Sequence, residues 1–112
     1  MREIDEATAT AFALQNRLDM CRGDAQSGLF KEADFEQVIG EIDAYCVTLK
    51  DKLFVPKWLV HSMMRTSRAL RAEAAMHGDK SERVVAMTRK MDALVEAILT
   101  DRTLADLYAP LP

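Results

Sequence analysis

A chain of 112 residues with 49% apolar and 29% charged side chains has the size and balance of one globular domain that buries a modest core without disulfides. Its net charge of −3 and pI of about 5.3 count against non-specific nucleic-acid binding as the main task, because such domains are usually basic. No run approaches the roughly 18–20 continuous apolar residues of a membrane span. The opening MREIDEATATAF lacks the basic start and apolar core of a secretory signal, so a cytoplasmic setting with reduced cysteines is expected.

With only four glycines and three prolines, the sequence predicts an all-α protein. Residues 3 to 22 read as the first helix. Ile4, Ala7, Ala11, Leu14, Leu18 and Cys21 follow alternating steps of three and four, the seam of a helix that packs on another helix. Phe12 lies about a third of a turn off that seam, either as a lone rim aromatic or as a second contact face for another subunit. GDAQSG, residues 23–28, has the glycines and small polar residues of a turn.

The second helix is predicted over residues 30 to 52. Its start is either Asp34, with Gln37 as capping-box partner, or a point just after Ser27. Phe35, Val38, Ile39, Ile42, Tyr45, Cys46, Leu49 and Leu53 form the most regular apolar stripe in the chain. Gly40 sits opposite, and a close backbone approach is the expected reason for it. The connection over 53–55 is short, so the second and third helices are expected to be antiparallel neighbours.

Pro56 fits the first position of a third helix over 56 to 77, with Gly78 just past its end. Trp58 is expected to plug the helix start, half-buried. Asp79 with Glu82 suggests a capping box for a fourth helix over 80 to 101, whose seam is Val84, Met87, Met91, Leu94 and Ile98. Thr103 and Asp106 are candidate caps for a last turn over 103–108, and Pro110 and Pro112 close the chain. Four helices of about 20 residues with short loops predict an antiparallel up-down-up-down four-helix bundle. The alternative is a pair of helical hairpins that completes its core by dimerising.

The third helix divides into two faces at ~100° per residue. Leu59, Val60, Met63, Ser67, Leu70, Ala74 and His77 fall on a core side. Lys57, His61, Arg65, Arg68 and Arg71 form an opposed basic stripe that no acidic residue interrupts. One reading is a solvated face partly paired with Glu36, Glu41 or Asp43, worth little to stability. The other is a partner-binding surface, since guanidinium forks suit carboxylate or phosphate. An acidic protein partner fits better than nucleic acid, which usually calls for interleaved aromatics.

The segment His61-Ser-Met-Met-Arg-Thr-Ser-Arg-Ala-Leu resembles the phosphorylated helix of histidine phosphotransfer domains, which are helical bundles of about this size. His61, Ser62, Ser67 and Leu70 match the run H-S-L-K-G-x-S-x-x-L, and Met63 stands for its first leucine. Met64 and Arg65 replace the lysine and glycine. The resemblance implies His61 as phospho-acceptor, with a large side chain where the family keeps the imidazole open.

Other chemistry finds little support. His61 and His77 stand about 24 Å apart along one helix, too far to share a metal. Cys21 and Cys46 differ in height by roughly 15–20 Å in an antiparallel hairpin, beyond disulfide reach. The seven methionines suit an adaptable core or a pliable groove for a partner helix. No phosphate loop, nucleophile elbow, metalloprotease helix or calcium loop occurs. The expectation is therefore a non-catalytic interaction module (a regulator, adaptor or chaperone-like factor) without cofactor or metal. Its contact surface is the basic stripe, with self-association through Phe12 and the alanines of the first helix.

Overall fold

Helix formers run through this chain with few breaks, and the structure, a computed structural model, is all-helical over the residues it describes, 6–49 and 55–100. Ile4, Leu53, the side chain of Ala7 and the expected turn over 103–108 lie outside the described residues. The helices are α1 (Glu6–Gln26), α2 (Glu32–Leu49), α3 (Lys57–Glu73) and α4 (Ser81–Leu99). A 3-10 segment, Ala74–Lys80, joins α3 to α4 as one long bent helical run.

Two glycines make the reversals. The Leu29 N–H donates to the Asp24 carbonyl at 2.8 Å and the Gly28 N–H to the Ala25 carbonyl at 3.0 Å. This is a Schellman ending, with Gly28 at φ 95° as its left-handed residue. It carries α1 through Gly23 to Gln26, past the expected end at residue 22. Gly78, at φ 58° and ψ −121°, turns the bent run in a region that side chains with a Cβ avoid.

Two expected caps are displaced. α2 starts at Glu32, so Asp34 lies inside its first turn, where its charge complements the helix dipole instead of capping it. Lys80 precedes α4 and makes no side-chain cap bond, and Asp79 falls in the 3-10 segment. Pro56 is the residue just before α3, and its carbonyl accepts from the Leu59 and Val60 N–H groups.

The seams bury as their spacing requires. Leu14, Leu18, Phe35, Val38, Ile42, Leu59, Met63, Leu70, Val84, Met91 and Leu94 are each at most 4% exposed and join one core cluster. Ala25 extends the α1 seam by one turn. Phe30, in the α1–α2 connection, lies 5.5 Å from the Phe35 ring and 5.8 Å from buried His77. The first loop thus packs onto the turn between α3 and α4.

The side-chain pairs fix the helix directions. Arg17 with Glu41 and Lys31 with Asp24 set α1 antiparallel to α2. Asp19 with Ser62 and Arg22 with Thr66 set α1 parallel to α3. Glu32 with Arg83 and Glu36 with Lys90 set α2 parallel to α4. The neighbouring pairs are α1–α2, α1–α3, α2–α4 and α3–α4. The second and third helices are therefore not packing neighbours, contrary to the expectation from their short connection. The polar pairs between α1 and α3, and between α2 and α4, impose a different order.

Two further expectations change. Trp58 is 59% exposed, because the helix turns it about 100° or more from buried Leu59 and Met63. A Cβ added at Gly40 would meet nothing within 4 Å, so no close approach explains that glycine.

Candidate interaction site

α3 is held on both flanks by polar side chains, and this sets which face it presents outward. On the α1 side the Ser62 hydroxyl donates to Asp19 at 2.6 Å. Arg22 bridges Asp19, at 3.0 Å, and the Thr66 hydroxyl, at 3.3 Å. On the α4 side the Ser67 hydroxyl donates to Asp92 at 2.6 Å. Arg71 bridges the Asp92 carboxylate, at 2.7 Å, and the Thr88 hydroxyl, at 3.2 Å. Each clamp has the same parts: a serine, an aspartate, an arginine and a threonine. Ser62, Thr66, Ser67 and Thr88 are all buried, so each hydroxyl must find a partner or cost the fold.

With both flanks fixed, Lys57, His61, Arg65, Arg68 and Arg71 all come to the exposed face of α3. Lys57 and Arg68 are eleven residues apart, about 16 Å along the axis. Arg71 is tied to Asp92 and Thr88. Lys57, Arg65 and Arg68 form no ion pair among the described residues. Two of the three expected neutralisers are committed elsewhere: Glu36 to Lys90 and Glu41 to Arg17. α2, which carries them, does not pack on α3.

Met64, 46% exposed, and Ala72 lie within this face, and Trp58 stands about a quarter-turn to its side. Trp58 stands edge-on to the His61 ring, with centroids 6.2 Å apart. Met64 opens into a shallow groove between α3 and α4 of about 280 Å³, lined also by Ser67, Arg68, Arg71, Asp92 and Val95. Burial of Asp92 works against its charged form, but the Ser67 hydroxyl and the Arg71 guanidinium outweigh it and hold the carboxyl below its ordinary range.

The remaining candidates lie apart from this face. His77 is buried in the 3-10 segment. Cys21 and Cys46 are buried and free. Burial pushes both thiols up, Cys46 to about 11 with Asp43 adding to the effect, and Cys21 with Asp34 and Asp24. Among the described residues no three His, Cys, Asp or Glu side chains gather as a metal site, and no helix is long and apolar enough to cross a membrane. Phe12, 47% exposed, stands on α1.

Sequence reasoning missed the two clamps. Their signal was present as Thr88 and Asp92 beside the methionine seam of α4, and as Ser62 and Thr66 next to the core face of α3. No family model, no curated protein and no solved structure matches this chain.

Proposed function

We propose that this chain is a small non-catalytic protein-interaction module, a regulator, adaptor or chaperone-like factor, that works through the cationic face of α3. Its helices form a four-helix bundle whose directions alternate along the chain and whose neighbours include two parallel pairs. Cysteines that are both free and buried suit a reducing, cytoplasmic setting.

The observation that carries the reading is the distribution of charge. Arg17, Arg22, Lys31, Arg71, Arg83 and Lys90 each hold a carboxylate. Lys57, Arg65 and Arg68 hold none among the described residues and lie together on one face. Lys80 and Arg89 also lack such a pair, but they stand apart from that face, in the turn and on α4. Like charges left together repel, a cost that an acidic partner relieves.

The test is the double variant Arg65→Glu, Arg68→Glu. Its helical content and melting temperature are expected to match the wild type, while the partner co-purifying from the native cell is lost. Retention of every partner by the folded variant would reduce the face to solvated surface.

One observation favours a second reading. His61 is exposed on α3, as phosphoryl transfer from a receiver domain requires. Against it, Ser62 and Ser67, the other matches to the phosphotransfer run, are consumed by the clamps. Incubation with a phosphorylated receiver domain tests it directly. An acid-labile label lost in His61→Gln supports relay, and absence of label removes it.

A further inference from the structure

We propose that the α3–α4 groove docks an acidic amphipathic segment of a protein partner, and that Asp92 is the built-in competitor for that segment's carboxylate. The proposal rests on the interaction reading above and names the recognition mode of the same face.

At about 280 Å³ the groove lies near the lower end of the roughly 300–1,000 Å³ of small-molecule pockets, but it is open where those enclose their ligand. It suits a side chain presented by a peptide. Its apolar wall is Met64 and Val95, and methionine adapts to varied apolar partners. Arg68 stands one turn from Met64, about 6 Å along the axis, with no carboxylate partner among the described residues. Lys57 lies about 10 Å the other way, and Arg65 flanks Met64. The complement of this surface is an apolar anchor with carboxylates about one helical turn to one side and two turns to the other, the pattern of an acidic helix laid in a groove. Methionine and arginine are both enriched at such contacts.

Asp92 selects against a continuous polyanion. Its carboxylate sits among the groove-lining residues and bonds Arg71 at 2.7 Å. A phosphate chain or an anionic bilayer would meet that charge, in a protein of net charge −3. A peptide with spaced carboxylates can straddle it. Asp92 also bonds the Nη2 of Arg71, so a partner carboxylate that approaches this guanidinium meets a charge already held there. Asp92→Asn keeps an oxygen to accept from Ser67, releases Arg71 and removes the competing charge. It should therefore tighten binding.

The probe is a synthetic peptide of about four helical turns, with leucines on one face and glutamates flanking them. Two controls replace its glutamates by glutamine or its leucines by serine. Trp58 does not line the groove, so docking is read by the fluorescence anisotropy of a dye carried on the peptide. Binding of the glutamate–leucine peptide and loss with both controls is expected. Arg68→Glu should weaken binding about tenfold, and Met64→Ser should weaken it without shifting the melting temperature of the fold. Asp92→Asn should tighten it about two- to fivefold, the range of one exposed ion pair. Arg71→Gln gives an independent reading of opposite sign: it leaves Asp92 unopposed and should weaken binding.

Failure of the glutamate–leucine peptide to bind the wild type overturns the proposal. So does equal or weaker binding by folded Asp92→Asn, or tighter binding to single-stranded DNA or phosphatidylserine vesicles than to the peptide. If Met64→Ser and Arg68→Glu leave peptide affinity unchanged while the Arg65→Glu, Arg68→Glu variant loses its native partner, the groove falls and the interaction reading stands.

Discussion

Ser62 and Ser67, five residues apart on α3, donate to carboxylates on opposite neighbours, Asp19 on α1 and Asp92 on α4, each at 2.6 Å. A helix held this way cannot roll about its axis without breaking one clamp. The clamps therefore fix which residues the helix turns outward, and Arg65 and Arg68 owe their exposure to buried serines whose hydroxyls bond other helices.

Ser62→Ala and Ser67→Ala are each expected to destabilise the fold by about 1.5–3 kcal/mol, the net worth of a hydrogen bond to a charged group. The two clamps share no residue and face different helices. The double variant should therefore equal the sum of the singles to within about 0.5 kcal/mol. Urea titrations of the four proteins check this, and a strongly non-additive cycle would mean that the clamps act as one network.

The Asp92 clamp also predicts a pH dependence. Its folded carboxyl lies below the ordinary value of about 3.9. The unfolded chain therefore takes up a proton first as pH falls. The stabilisation is fully present above about pH 4 and is lost as pH drops through the lowered folded value. Comparing urea midpoints of the wild type and Asp92→Asn from neutral pH downwards should show a wild-type advantage that fades below about pH 4. An advantage that grows with acid would contradict the clamp.

Much of the fold was legible because burial follows helical period. The α2 stripe from Phe35 to Leu49 and the α4 seam from Val84 to Ile98 bury as read. What was not legible is pairing between helices. Glu36 and Glu41 were natural neutralisers for a basic helix if α2 and α3 touched. Instead Glu36 meets Lys90, and Glu41 meets Arg17. A helical wheel places a residue on a face but does not say which helix covers it. Trp58 failed for a related reason: a large apolar side chain at a helix start is buried only if another element covers its side of the helix, and Trp58 is turned about 100° or more from buried Leu59 and Met63. The basic stripe was legible as a pattern. The tie of Arg71 to Asp92 was not, because it joins two helices through residues that look like ordinary surface.

Gly40 offers a direct gain. It lies exposed inside α2, and an added Cβ meets nothing within 4 Å. Gly40→Ala is expected to stabilise the protein by about 0.5–1 kcal/mol, through helix propensity and a less flexible unfolded chain. A higher urea midpoint with an unchanged slope checks it. A destabilised variant would reveal a contact on that face of α2.

The cysteines should report unfolding through their chemistry. Both are buried and free, with thiols pushed up by burial, Cys46 to about 11. The thiolate is the reactive form, so neither should react with a disulfide reagent at neutral pH in the folded protein. Both should react together once urea unfolds it. A raised folded value carries the opposite sign from Asp92. The stabilisation from a neutral Cys46 is complete below the ordinary thiol value of about 8.5 and declines as pH rises through about 11. Cys46→Ala, which cannot ionise, should lose less stability than the wild type over that alkaline window. Prompt labelling of folded protein at neutral pH would show instead that α2 opens locally around Cys46, with its core face less tightly closed than the burial of Ile42 and Leu49 implies.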